Sequence, residues 1–148
     1  MEWPHDFKTL LSAFNAENVR YLLIGGYAVA HHGHPRFTAD LDLWIEPSES
    51  NSERIRSALE SMEITLPPVA LLNLQSKGQL IRVGTDPTRV DLLTSIPELE
   101  FEASYSRADF DMIGGVKVPV INLGDLITTK KATGRFQDLA DVEALENR

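Results

Sequence analysis

The sequence contains no cysteine, which excludes disulfides, thiolate zinc sites and cysteine nucleophiles and leaves carboxylate, hydroxyl and imidazole chemistry. No apolar run approaches the length of a membrane span, so a soluble protein with no membrane partner is expected. The opening residues, MEWPHDFK, lack a basic region followed by an apolar stretch; no secretory signal is visible, and a cytoplasmic location is expected. Internal repeats, low-complexity tracts and linkers are also missing. Positive charge is in deficit: 14 Lys and Arg stand against 22 Asp and Glu, a formal net charge of −8. Bulk electrostatics of that sign repel nucleic acid and anionic membranes. A nucleic-acid substrate would need a local basic patch, which Arg36, Arg82, Arg89, Lys130, Lys131 and Arg135 can supply. Much of the acid lies between Glu46 and Glu63 and between Glu98 and Asp111, read as solvated surface.

What is present suits one compact domain of 148 residues with a real core. Phe7, Leu10, Leu11 and Phe14 recur at helical spacing after Asp6, giving an N-terminal helix within residues 1–17. VRYLLIGG reads as a buried strand ending in glycines, YAVAHHG as a short helix stopped by Gly33 and Pro35, and RFTADLDLWIEP as the next strand. A helix from Ser48 to about Met62 carries Ile55, Leu59 and Met62 on one face. LPPVALLNLQSKG is a Pro-Pro break followed by helix or loop. QLIRVG and RVDLLTSI are strands joined by the turn TDPT, and ADFDMIGGVKVPVI is a hairpin. After this central block, residues 19–121, two helices fill 122–148: LGDLITTKKATG, started by Asn122, and FQDLADVEALENR, burying Leu139, Val142 and Leu145. The order predicts an α/β (α+β) fold, a mixed sheet flanked by helices.

Strand alternation puts Arg36, Thr38, Asp40, Asp42 and Trp44 on one face and Phe37, Ala39, Leu41, Leu43 and Ile45 on the other. The second face anchors the strand, leaving the first to line a cleft. Two carboxylates so close raise each other's pKa unless a cation compensates. RVDLL repeats the arrangement, with Arg89, Asp91 and Leu93 opposite Val90 and Leu92. Three acids on a sheet suit a hard, oxygen-seeking ion such as Mg²⁺, and a pair of ions could clamp the entering and leaving oxygens of a phosphoryl transfer. Gly25-Gly26, between strand and helix, permits close backbone approach to an anion.

The segments LIGGYAVAHHG, RFTADLDLWI, RVDLLTSI and VINLGDLITTKKATGRFQDLADVEAL resemble the nucleotidyltransferase superfamily that includes DNA polymerase beta, in particular its minimal prokaryotic and AbiEii-like branch. The resemblance covers most of the chain from about Val19. It implies that Gly25 and Gly26 form the phosphate-binding turn, and that Asp40 and Asp42 bind two Mg²⁺ ions, for which Mn²⁺ can substitute. It further implies that Asp91 ligates the catalytic metal and helps activate the acceptor hydroxyl, and that Lys130 reaches the triphosphate. The implied reaction moves a nucleoside monophosphate from an NTP, expected to be ATP, to a hydroxyl and releases pyrophosphate. Many relatives have Gly-Ser where this chain has Gly25-Gly26, and many add a helical domain beyond the point where this chain ends. A partner protein or a second copy is therefore expected to complete the acceptor site.

Arg36 and Thr38, on the face of the acids, are assigned to phosphate or acceptor contact, with charge balance as the alternative. Arg89 is expected to pair with Asp91 or a surface acid, and Asp138 and Asp141 with Lys130 or Arg135. Trp44 is expected at the cleft rim. His31, His32 and His34 are read as polar residues at a helix end, since adjacent helical residues diverge and no fourth ligand is visible. The acceptor is left open among tRNA, protein and small molecule. A toxin–antitoxin component modifying tRNA or a partner protein, and a non-catalytic nucleotide-binding module, are the rival readings.

Overall fold

The structure is a computed structural model that describes residues 5–85 and 88–147. Helix α1 (His5–Ala16) buries Phe7, Leu10, Leu11 and Phe14 as one stripe. Strand β1 (Tyr21–Ile24) is buried at every position, as befits a strand in the interior of a sheet. It runs directly into α2 (Gly25–His31), followed by β2 (Leu41–Ile45). Helix α3 (Glu49–Glu60) is started by Ser48, whose Oγ accepts the Asn51 N–H at 3.1 Å. Next come α4 (Pro68–Asn73), β3 (Leu80–Val83), β4 (Val90–Leu93) and α5 (Phe101–Ser106). The hairpin β5 (Asp109–Ile113) and β6 (Val116–Val120) turns at Gly114 and Gly115, both with positive φ. Helices α6 (Leu123–Thr133) and α7 (Phe136–Glu146) close the chain, separated by Gly134 in the left-handed conformation.

The strands form one mixed sheet in the order β3-β4-β2-β1-β6-β5. β1 pairs antiparallel with β2 and parallel with β6, while β2 pairs parallel with β4. Leu41, Leu43, Ile45 and Leu92 point to one face and are fully buried, together with the apolar stripe of α1 and with Ile55, Ala58 and Leu59 of α3. Each such side chain contributes about 1.5–3 kcal/mol through burial. That face anchors the sheet; the opposite face of β2 and β4 carries the acids.

Three elements differ from the sequence reading. The strand expected from Arg36 begins only at Leu41, because β1 is spent at the Ile24–Asp42 pair and becomes α2, leaving residues 36–40 no strand to pair with. Helix α5, read as part of a solvated acidic run, instead seats Phe101 edge-on against Trp44, ring centroids 5.3 Å apart. Helix α7 buries Val142 and Leu145 as expected, but Leu139 is 48% exposed and Asp138 and Asp141 are buried in its place. Their ion pairs turn the helix. Val83 and Val90 close the β3–β4 hairpin; the turn read at TDPT includes Asp86 and Pro87, which lie outside the described residues.

Candidate active site

The parallel register of β2 and β4 sets Asp42 beside Asp91 and Trp44 beside Leu93. Adjacent strands lie about 4.8 Å apart, so the two carboxylates stand side by side on one face. Asp40 joins them from the bend just before β2. The three acids line a cleft of about 500 Å³ with Gly25, Arg82, Lys130 and Arg135. Burial, then the negative charges of Asp91 and Asp40, push the Asp42 carboxyl up to about 6, against the partial relief of Lys130 and Arg135. Arginines already stand on the other two acids. Arg89 Nη2 donates to Asp40 Oδ2 at 2.6 Å, and Arg82 Nε to Asp91 Oδ1 at 3.2 Å. Asp42 has no ion pair among the described residues.

Gly25 has φ +71°, and a Cβ there would collide with the Asp42 carboxylate. A Cβ on Gly26 would lie 2.5 Å from Thr38 Oγ1 and 3.2 Å from Arg36 Nη1. The glycine pair therefore lets the segment 36–42 lie directly against the first turn of α2, whose leading N–H groups have no intrahelical acceptor. Sequence alternation had placed Arg36 and Thr38 on a strand face with the acids; the structure puts them in the irregular approach to β2 instead. Thr38 Oγ1 donates to the Asp40 carbonyl at 3.3 Å. Arg36 turns to α7 and holds Asp141 with two bonds of 2.8 and 2.9 Å.

A second charged cluster flanks the cleft. Lys130 Nζ lies 3.0 Å from both Asp138 Oδ1 and Asp141 Oδ2, with all three side chains buried. Arg135 Nε adds a bond of 2.7 Å to Asp138. Burial alone would push both carboxyls up; hydrogen bonds from Arg135 and Lys130 to Asp138, and from Arg36 and Lys130 to Asp141, hold them below the usual carboxylate range. Lys130 thus lines the cleft while its ammonium is held by α7, the pairing expected for Asp138 and Asp141.

No family model matches the sequence, and no curated protein is significantly similar to it. Solved structures are similar over nearly the whole chain. A Thermotoga maritima protein assigned as a nucleotidyltransferase superposes with a TM-score of 0.65 at 15% identity, covering 99% of this chain and 96% of its own. The lincosamide antibiotic adenylyltransferase LnuA, lincomycin-bound, gives 0.62 at 14% identity over 99% and 98%. ANT(2")-Ia in complex with adenylyl-2"-tobramycin gives 0.58 at 10% identity over 94% and 84%. This chain has the nucleotidyltransferase fold. On that fold, the mixed sheet expected from sequence is observed.

The nucleotidyltransferase fold also assembles residues the sequence reading separated. Trp44 is not at the rim but buried beneath Phe101. Arg89 meets Asp40 closely and Asp91 only at 3.9 Å. His31, His32 and Asp109 of β5 bring one ligand atom each within 4.8 Å of one another, a juxtaposition hidden by 76 or more intervening positions. The composition is that of a metal site; His32 Nε2 is 2.7 Å from the Ile121 carbonyl, and His31 Nδ1 is 3.0 Å from Asp111 Oδ2, which leaves His31 Nε2 toward Asp109 Oδ2 at 3.9 Å. Those bonds tie the end of α2 to β5 and to the residue after β6. No described helix is long and apolar enough to cross a membrane.

Proposed function

We propose that the protein is a metal-dependent nucleotidyltransferase that moves a nucleoside monophosphate, with ATP as the expected donor, to an acceptor hydroxyl. The observation that carries this reading is the β2–β4 register that sets Asp42 beside Asp91, with Asp40 at their edge, in a fold shared with adenylyltransferases. The donor set fits a hard divalent cation such as Mg²⁺ or Mn²⁺: three carboxylates, one of them driven up to about 6 by repulsion and burial that a cation would relieve. Asp40, Asp42 and Asp91 would hold the ions. When bound, divalent ions of this kind neutralise phosphate charge and make an oxygen nucleophile easier to form.

The chain's own groups supply the rest. The acceptor oxygen bonds to the α-phosphorus as the bond to the β-phosphate oxygen breaks; Asp91 takes the hydroxyl proton and the electron pair leaves with pyrophosphate. The turn at Gly25 and Gly26 offers unpaired N–H groups to the triphosphate, with Arg36 and Thr38 bracing it. Lys130 and Arg135 give that side of the cleft a positive potential, and Arg135, with 76% of its side chain exposed, is the cation able to reach a phosphate. Among the neighbours, lincomycin and tobramycin are the molecules named with the adenylyltransferases, which supports a small hydroxyl compound as acceptor over tRNA or a partner protein.

The test is transfer of label from each α-labelled NTP, with Mg²⁺ or Mn²⁺, to pools of tRNA, protein and small hydroxyl compounds, with Asp40→Ala as control. Label in one pool that vanishes in the variant is the expected result. Absence of both transfer and metal-dependent nucleotide binding would overturn the assignment in favour of a non-catalytic module.

A further inference from the structure

The histidines that end α2 meet two carboxylates from the edge of the sheet. Neighbouring residues within a helix point about 100° apart. His31, however, is the last residue of α2 and His32 its cap, with φ −83° and ψ 11°, and their rings come edge to face with centroids 4.7 Å apart. Opposite them, Asp109 and Asp111 are two residues apart on β5 and share one face of that strand. Asp111 Oδ2 accepts from His31 Nδ1 at 3.0 Å. Asp109 Oδ2 lies 3.9 Å from His31 Nε2 and 3.8 Å from His32 Nε2.

The two Asp109 distances are too long for hydrogen bonds and close to the spacing of ligands around one ion. Metal bonds of about 2.1 Å put neighbouring donors of a tetrahedral ion about 3.4 Å apart, so closing each gap by about half an ångström brings the three residues to a common centre. A carboxylate can only accept, so a neutral His31 carries its proton on Nδ1, toward Asp111, and turns the Nε2 lone pair to Asp109. A carboxylate behind the outer nitrogen is the support that fixes tautomer and orientation in metal-bound histidines. His32 Nε2 stands 2.7 Å from the Ile121 carbonyl. Binding an ion there moves its proton to Nδ1 and exchanges the carbonyl for the metal. The Asp109 side chain is 47% exposed, which gives an ion a path in and water a place in its shell.

We infer that His31, His32 and Asp109 form a site for one divalent transition ion of the zinc, cobalt or nickel class, with Asp111 as its positioning residue. Two imidazole nitrogens and one carboxylate favour such ions over Mg²⁺, which suits the all-oxygen set of the cleft. The site stands apart from that cleft. β5 lies three strands from β2 in the sheet, about 14 Å across. An ion bound there ties the last residue of α2 to the sheet edge, while Gly25, at the other end of the same helix, lines the cleft. The inference is independent of the reaction proposed for the acid triad.

The chain has four histidines and no cysteine, so a long-range ¹H–¹⁵N spectrum of the imidazoles is small, and His5→Asn and His34→Asn assign the two outside the site. Zinc added to the chelator-stripped full chain in excess Mg²⁺ should shift the nitrogens of His31 and His32 saturably at one equivalent and leave those of His5 and His34 in place. Co²⁺ should give the visible absorption of a four-coordinate site at the same stoichiometry, and zinc should bleach it. Asp109→Asn, at an exposed position, should weaken zinc at least about tenfold. Asp111→Asn should weaken it about tenfold, the loss typical of a group behind a ligand, and should shift the cobalt bands, which a residue serving only the fold would leave alone. Asp42→Asn should leave zinc binding unchanged. The amide spectrum of each variant reports that it is folded. Zinc that moves neither His31 nor His32, that Mg²⁺ displaces, or that binds Asp109→Asn as tightly as wild type overturns the inference. So does a response lost in Asp42→Asn, which would place the ion in the cleft.

Discussion

Two clusters of buried and half-buried aspartates flank the cleft, and they are held in opposite ways. On α6 and α7, Asp138 and Asp141 are matched by Lys130, Arg135 and Arg36, and their carboxyls lie below the ordinary range despite burial. On β2 and β4, Asp42 lies beside Asp91 with no ion pair among the described residues, and its carboxyl is raised to about 6. The first cluster is satisfied by its own chain. In the second, arginines answer Asp40 and Asp91 but nothing answers Asp42 among the described residues, and the proposed cation would relieve that one raised carboxyl. Buried charge alone therefore does not mark a functional site; the missing countercharge does.

The comparison predicts opposite outcomes for the two clusters. Asp42→Asn should lower nucleotide transfer by at least about 10³-fold, by analogy with the loss of other transition-state charge stabilisers. The same substitution should leave the metal-free protein as stable or more so, because it removes a repelled, buried carboxylate. Transfer kinetics and thermal unfolding in chelator measure both. Asp141→Ala should do the reverse of the second effect. Removing one member of a paired, buried set strands Arg36 and leaves Lys130 only Asp138, and unfolding in urea should show a loss of about 4 kcal/mol. A small loss there, or a destabilised Asp42→Asn, would abolish the distinction.

The distinction was half legible in the sequence. Period-two alternation in RVDLL, and the spacing of Asp40 and Asp42, were enough to bring three acids together, because parallel pairing of β2 with β4 preserves what alternation predicts. Alternation failed for Arg36 and Thr38, since it says nothing about whether a neighbouring strand exists; β1 ends opposite Asp42 and the chain before it is irregular. The pairing of Asp138 and Asp141 with Lys130 was readable from helical spacing, yet its consequence for α7 was not. An apolar Leu139 is expected inward, and only the buried cations explain why the helix turns its acids inward and leaves Leu139 out. The packing of α5 on Trp44 was out of reach because the helix has only six residues and follows a run of glutamates.

A pH series separates the clusters by sign. Asp42 is raised above its unfolded value near 3.8, so the folded protein binds more protons than the unfolded one between that value and about 6. Stability of the metal-free protein should therefore fall by about 3 kcal/mol as pH rises through that window and level off above it. Asp138 and Asp141 are lowered, so their contribution is present above the ordinary carboxylate pKa and disappears only as pH drops below it. Urea unfolding of wild type and Asp42→Asn between pH 4.5 and 7.5 thus isolates the share of Asp42. The difference between wild type and Asp42→Asn should carry the whole slope; parallel curves would mean that Asp42 is neutralised in some other way.

Arg135 belongs to both clusters and gives the smallest effect on stability. It donates to Asp138, and its charge also lowers the Asp42 carboxyl, though less than Asp91 and Asp40 raise it. Because the side chain is 76% exposed, the pair with Asp138 is worth little, and Arg135→Gln should cost less than about 1 kcal/mol in unfolding. Lys130 remains to hold both aspartates. If Arg135 serves the cleft rather than the scaffold, the same variant should weaken binding of a fluorescent ATP analogue by about three- to tenfold, the loss of one charge-assisted phosphate contact. A variant that loses as much stability as Asp141→Ala and binds nucleotide normally would make Arg135 a strut of the paired cluster. The cleft would then have no exposed cation on its α6–α7 side, and the triphosphate would have to be held by the α2 turn and the arginines of β3 and β4.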